Sequence, residues 1–153
     1  DTKERDRRRR KWIINRKPEI VHVGLEEHGK PVFFLDCDDE LLDKPTFPEC
    51  DVGYLRNPER MLASTSRTHL MISSTAVIAP TEDGIRFVKA WKEYTKIVND
   101  HRAIQMAWTQ LYQMNGQWGN FLDCTEYMTG KYKINAAPDG HRTETVIYGI
   151  QGG

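Results

Sequence analysis

Four acidic side chains fall in a five-residue window, Asp36-Cys37-Asp38-Asp39-Glu40, directly after the apolar run Val32-Phe33-Phe34-Leu35. Carboxylates crowded in this way repel one another unless a cation intervenes. In extended geometry, positions 36 and 38 share a side, so Asp36 and Asp38 can face one site. Cys37, between them, turns the other way and suits packing. Carboxylate oxygens match hard divalent cations, Mn²⁺ or Mg²⁺, which also hold diphosphates. A cation held there would neutralise charge on a departing group. An Asp-x-Asp also occurs in ordinary solvated turns. The buried strand ahead of this one is what favours metal.

The elements around the turn follow from pattern. Residues 3–16 read as a basic helix ending in Trp12, Ile13 and Ile14. Pro18 interrupts it and suits the first position of a second helix, with Ile20, Val21 and Leu25 inward and a stop at Gly29. Val32–Leu35 is a short continuous apolar run after Lys30-Pro31, the signature of a strand buried on both faces. Val52–Leu55 and Met71–Ala79 read as further strands. Thr81 is a natural N-cap, with Glu82 and Asp83 in the first turn and Ile85, Val88, Trp91 and Val98 at helical spacing. Asn99-Asp100 caps another helix, whose inner face is Ile104, Ala107, Trp108 and Leu111, closed by Asn115-Gly116. Phe121-Leu122, Tyr132–Ile134 and Thr145–Ile150 are strand-like. Helices alternating with buried strands predict an α/β fold, a mostly parallel mixed sheet flanked by helices. Such sheets bind ligands at the carboxyl ends of their strands, which is where Asp36–Asp39 should lie.

The 153 residues match one domain, taken as 1–153 with the basic helix 1–16 at its start. Basic and acidic side chains balance at 22 each, but Arg5, Arg7, Arg8, Arg9, Arg10 and Lys11 are bunched. Such a block can meet nucleic acid, yet no aromatic or glycine pattern of an RNA-binding module goes with it, so a solvated helix face is preferred over nucleic acid. Cys37, Cys50 and Cys124 are odd in number and contain no CxxC, which argues against a disulfide framework or structural zinc. Reduced thiols and a cytoplasmic setting are the expectation. No run approaches the ~20 apolar residues of a membrane span, and no signal peptide is visible.

The stretch Trp12–Pro45 resembles the GT-A nucleotide-diphospho-sugar transferases. In that family a helix with basic residues precedes Lys-Pro-Val and an apolar strand ending in Asp-x-Asp, here Lys30-Pro31-Val32-Phe33-Phe34-Leu35-Asp36-Cys37-Asp38. Asp51-Val52-Gly53-Tyr54 resembles the next strand, and Ser73–Ile78 the strand lining the sugar site. Gly84–Trp91 is similar to the helix that follows, and Asn99–Ile104 to the acidic-led helix facing donor and acceptor. The likeness extends over residues 10–150 and implies a GT-A-like, Rossmann-like core. The strand–helix units that hold the nucleotide base in the family are not recognisable before Trp12. That fits a fragment, a minimal version, or a protein that borrows this half from another chain.

The resemblance implies roles. Asp36 would lie near the ribose and the metal, with Asp39 beside the donor, and Asp38 would coordinate the cation that bridges the two phosphates. Asp100 would contact sugar or acceptor, or act as general base; its plainer reading is a helix N-cap. Ser74 and Thr75 could hydrogen-bond sugar hydroxyls, or satisfy their own backbone. His141 is the nearest substitute for the family's C-terminal metal-binding histidine. Trp118, in Gly116-Gln117-Trp118-Gly119, could stack on a sugar face or close over a core. Trp91 and Trp108 sit at core spacing.

The reading that follows is transfer of a sugar from a nucleoside diphosphate, uridine by family resemblance, to an unknown acceptor with a divalent cation. A second is a metal-dependent nuclease or other phosphoryl-transfer enzyme using Asp36, Asp38 and Asp39 with the basic block. A third is a non-catalytic domain that binds a nucleotide sugar or a protein. The basic helix could also pair with another subunit, giving a homo-oligomer.

Overall fold

The computed structural model describes residues 1–36, 40–56, 71–98, 102–114, 120–128, 132–133 and 145–149. Helix α1 spans Thr2–His28 and strand β1 spans Val32–Asp36. Strand β2 (Glu40–Leu41), strand β3 (Val52–Arg56) and strand β4 (Met71–Ile78) follow. Helix α2 covers Glu82–Val98. Helix α3 (Arg102–Trp108) runs on into a π-helical stretch, Thr109–Met114. Strand β5 (Phe121–Asp123), helix α4 (Thr125–Met128), strand β6 (Tyr132–Lys133) and strand β7 (Thr145–Gly149) complete the order.

Among the described residues, five strands form one mixed sheet in the order β5-β3-β4-β1-β7, and β2 pairs with β6 in a small second sheet. The α/β class stands, but "mostly parallel" does not. β1 is antiparallel to both β4 and β7, and β3 is antiparallel to β4. The reason is in the connections. Arg56 at the end of β3 pairs with Met71 at the start of β4, so the chain re-enters the sheet from the rim it left, which is antiparallel geometry. The parallel pair is β3 with β5, and here helices α2 and α3 lie between the strands in sequence.

β1 has the double burial its composition predicts. Val32, Phe33, Phe34 and Leu35 are each at most 3% exposed. Val32 and Phe34 join a core with Val21 and Leu25 of α1, Phe87, Val88 and Trp91 of α2, and Ile104, Ala107 and Trp108 of α3. Phe33 and Leu35 face the other way, into a smaller cluster with Cys50, Leu55, Val77 and Cys124. Alternating side chains thus serve two layers. The helix side is locked by aromatic pairs, Phe34 with Trp91 at 5.3 Å and Tyr54 with Trp108 at 5.2 Å between ring centroids. On the other face, Phe47 of the loop after β2 packs on Phe33 at 5.2 Å.

Pro18 does not divide α1. The helix passes through it, and Pro18 is buried with Lys17, Val21 and Leu25. Proline lacks the N–H that would reach the Ile14 carbonyl, a loss of ~3 kcal/mol in an open helix; here packing of the apolar ring offsets it. Gly29 ends α1 in the left-handed region at φ 58°, its N–H reaching the Leu25 carbonyl at 3.0 Å. A polar seam joins α1 to α2. Lys92 Nζ donates to Glu19 Oε2 at 3.0 Å and meets His22 Nδ1 at 2.7 Å, while His22 Nε2 lies 3.2 Å from Glu26 Oε1. A lysine ammonium only donates, so the network assigns the acceptor role to Nδ1 and the proton to Nε2. The hydrogen bond and charge of Lys92 hold the Glu19 carboxyl below the usual glutamate value.

Candidate functional site

β1 and β3 both run opposite to β4, and β5 runs with β3. The carboxyl ends of β1, β3 and β5 therefore share one rim of the sheet. Asp36, Arg56 and Asp123 close those three strands. The amino ends of β4 and β7 reach the same rim, where Thr145 pairs with Asp36 and Thr75 pairs with Leu35. The chain thus places Asp36 at a strand's carboxyl end.

Asp36 and Ser74 are brought to this rim by their positions in β1 and β4. Thr75 is also in β4, but it is fully buried, and its hydroxyl donates to the Phe34 carbonyl at 2.8 Å. That hydrogen bond lies within the sheet, where Thr75 satisfies backbone. Asp38, Asp39, Asp100, Trp118 and His141 lie outside the described residues. Among the described residues, no group of three or more His, Cys, Asp or Glu is placed to hold a metal ion.

Two aspartates to which the sequence reading gave no site role have clear duties. At the shared rim, Asp123 Oδ1 accepts from Thr125 N at 3.0 Å and from Thr125 Oγ1 at 2.5 Å, capping α4. At the opposite rim, Asp51 joins three elements. Its Oδ1 accepts from Thr81 Oγ1 and its Oδ2 from Asn120 N, both at 2.6 Å. Its carbonyl accepts from Ala79 N at 2.9 Å. Thr81 Oγ1 in turn accepts from Gly84 N at 3.1 Å, which is the N-cap its sequence position predicts. The signal was present in both cases: an Asp two residues before a Thr that opens a helix, and an Asp just before a strand. Lys17 and Gln105 are further buried polar residues, and the apolar periodicity of their helices does not mark them.

The basic block forms the outer part of α1. Residues 1–10 are exposed on every side, and burial begins only at Lys17. Trp12 is 63% exposed, and the Arg16 guanidinium lies over its ring at 5.3 Å. Among the described residues, no helix is long and apolar enough to cross a membrane. No family model, curated protein or solved structure matches this chain.

Proposed function

We propose that this chain is the metal- and sugar-nucleotide-binding core of a GT-A-type glycosyltransferase, acting on a nucleoside-diphosphate sugar, with uridine as the base by family resemblance. The observation that carries the reading is the setting of the acidic run. A strand buried on both faces ends at Asp36, on the rim where β1, β3 and β5 all present their carboxyl ends. Lys30-Pro31-Val32 before it and Asp-x-Asp at its end are the motifs of the resemblance. A buried strand is a rigid base for a first ligand, and rigid positioning is what a metal–diphosphate site requires.

The residues fit a hard divalent cation, because Asp36 is followed within three positions by Asp38 and Asp39 and all three offer carboxylate oxygen. Asp38 and Asp36 would hold Mn²⁺ or Mg²⁺, with His141 as a further ligand. When bound, the cation supplies charge neutralisation for the departing diphosphate. Asp39 and Ser74 would orient the donor, and Trp118 would cover a sugar face. Asp100 would face the acceptor hydroxyl and take its proton if the anomeric centre inverts. Thr75 serves this site from behind, by tying β4 to β1 through the Phe34 carbonyl.

The test is donor hydrolysis. With Mn²⁺, the full chain should release free sugar from a uridine-diphosphate sugar, and a chelator should stop it. Release that is indifferent to chelation would count against the reading. The exposed basic arm favours one other activity, metal-dependent cleavage of nucleic acid. That reading predicts tight, salt-sensitive binding of DNA or RNA, whose affinity falls steeply between 50 and 200 mM salt, by roughly a thousandfold for six phosphate contacts.

A further inference from the structure

The second core cluster contains two thiols that come from distant parts of the chain. Cys50 precedes β3 and Cys124 follows β5. Both are buried and neither is bonded to another group. The Cys124 N–H donates to the Tyr54 carbonyl at 2.8 Å, which fixes that backbone against β3. Gly53 lies beneath both sulfurs. A Cβ built on it would come within 2.8 Å of Cys124 Sγ and 3.3 Å of Cys50 Sγ. The missing side chain at position 53 is therefore what lets the two sulfurs share one space. Phe33, Leu35, Leu55 and Val77 pack in the same cluster, and the Asp51 and Asp123 carboxylates act on Cys50 and Cys124 respectively, each disfavouring the thiolate.

We propose that Cys50 and Cys124 form a reversible disulfide with each other when the chain meets a small-molecule disulfide. The reaction balances as two exchanges. The Cys50 thiolate attacks one sulfur of the oxidant, forming a mixed disulfide and expelling one small thiolate. Cys124 gives up its proton to solvent or to that thiolate, attacks Cys50 Sγ, and expels the second. Two protein thiols are oxidised by two electrons and one small disulfide is reduced to two thiols. The order of attack follows from the environment. The neighbouring Cys124 thiol holds the Cys50 thiol below its ordinary value, while the Cys50 thiol and burial push Cys124 up. Cys50 is also the more exposed, at 9% against 1%. The bond would tie the loop between β2 and β3, which carries Phe47, to the end of β5. That loop covers the sheet face opposite the helices and follows directly on the acidic run.

The native full-length chain is incubated with oxidised glutathione, then unfolded in an alkylating agent and mapped by peptide mass. The expected product is a Cys50–Cys124 cross-linked peptide, unalkylated at both sulfurs and returned to free thiols by dithiothreitol. A Cys37→Ser variant should give the same product. Three results would overturn the proposal: glutathione retained on Cys50 with Cys124 alkylated, a bridge from either residue to Cys37, or both thiols alkylated after prolonged oxidant treatment. The wild-type map decides by itself, so the test does not depend on a cysteine variant folding.

Discussion

Asp38→Asn is expected to lower Mn²⁺-dependent hydrolysis of a uridine-diphosphate sugar by about a thousandfold, the scale of several kcal/mol of lost charge stabilisation. Asparagine keeps the volume but has no charge and offers one oxygen donor in place of two. Loss of a ligand carboxylate removes both affinity for the cation and the charge that places it. The substitution should leave folding intact, because it relieves repulsion in a run that holds Asp36, Asp39 and Glu40 as well. The check is steady-state sugar release at saturating Mn²⁺, with circular dichroism to confirm the fold. A rate within threefold of wild type would place the chemistry elsewhere. Retained binding of a partner protein with no turnover in either form would favour the non-catalytic alternative.

Gly84→Ala is the second large effect, on stability alone. Gly84 lies in the first turn of α2, where a Cβ would collide with the Ala79 carbonyl oxygen and approach the Ala79 carbonyl carbon and the Asp51 carbonyl oxygen, each at 3.1 Å. These are backbone atoms and cannot swing aside. They also belong to a packed junction, since the Asp51 carbonyl accepts from Ala79 N and the Asp51 carboxylate accepts from Thr81. Displacing α2 to make room would lengthen the Gly84 N to Thr81 Oγ1 bond that caps it. Overpacking and a weakened cap together should cost about 3 kcal/mol. Alanine's better helix propensity returns no more than ~1 kcal/mol of that. The thermal midpoint should fall by roughly 5–10 °C. A change of under about 0.5 kcal/mol in urea unfolding would show that the helix can shift freely.

Local chemistry was legible where one residue type answers one local demand. The apolar run Val32–Leu35 reads as a strand buried on both faces, and Thr81 followed by Glu82 and Asp83 as the start of a helix, and both are found. The inner face Ile104, Ala107, Trp108 and Leu111 was legible from spacing, and all four are buried. What the sequence hid was long-range. The direction of β4 against β3 is set by long-range pairing, and no propensity encodes that. Pro18 reads as a boundary because its local cost is known, whereas the packing that lets α1 continue comes from elements far along the chain. The placement of Cys50 against Cys124 likewise needs the parallel pairing of β3 with β5 and an absent side chain at Gly53. At the candidate site, the strand end at Asp36 and the position of Ser74 were legible from motif order, but the partner of Thr75 was visible only in the sheet register.

Whether a metal-dependent diphosphate site lies at the end of β1 is decided by calorimetric titration of the full chain with uridine diphosphate. Saturable binding is expected in the presence of Mn²⁺, and it should disappear on chelation and in Asp38→Asn. Absence of binding to uridine or guanosine diphosphate with Mn²⁺ present, or binding unchanged by removal of the metal, would contradict it.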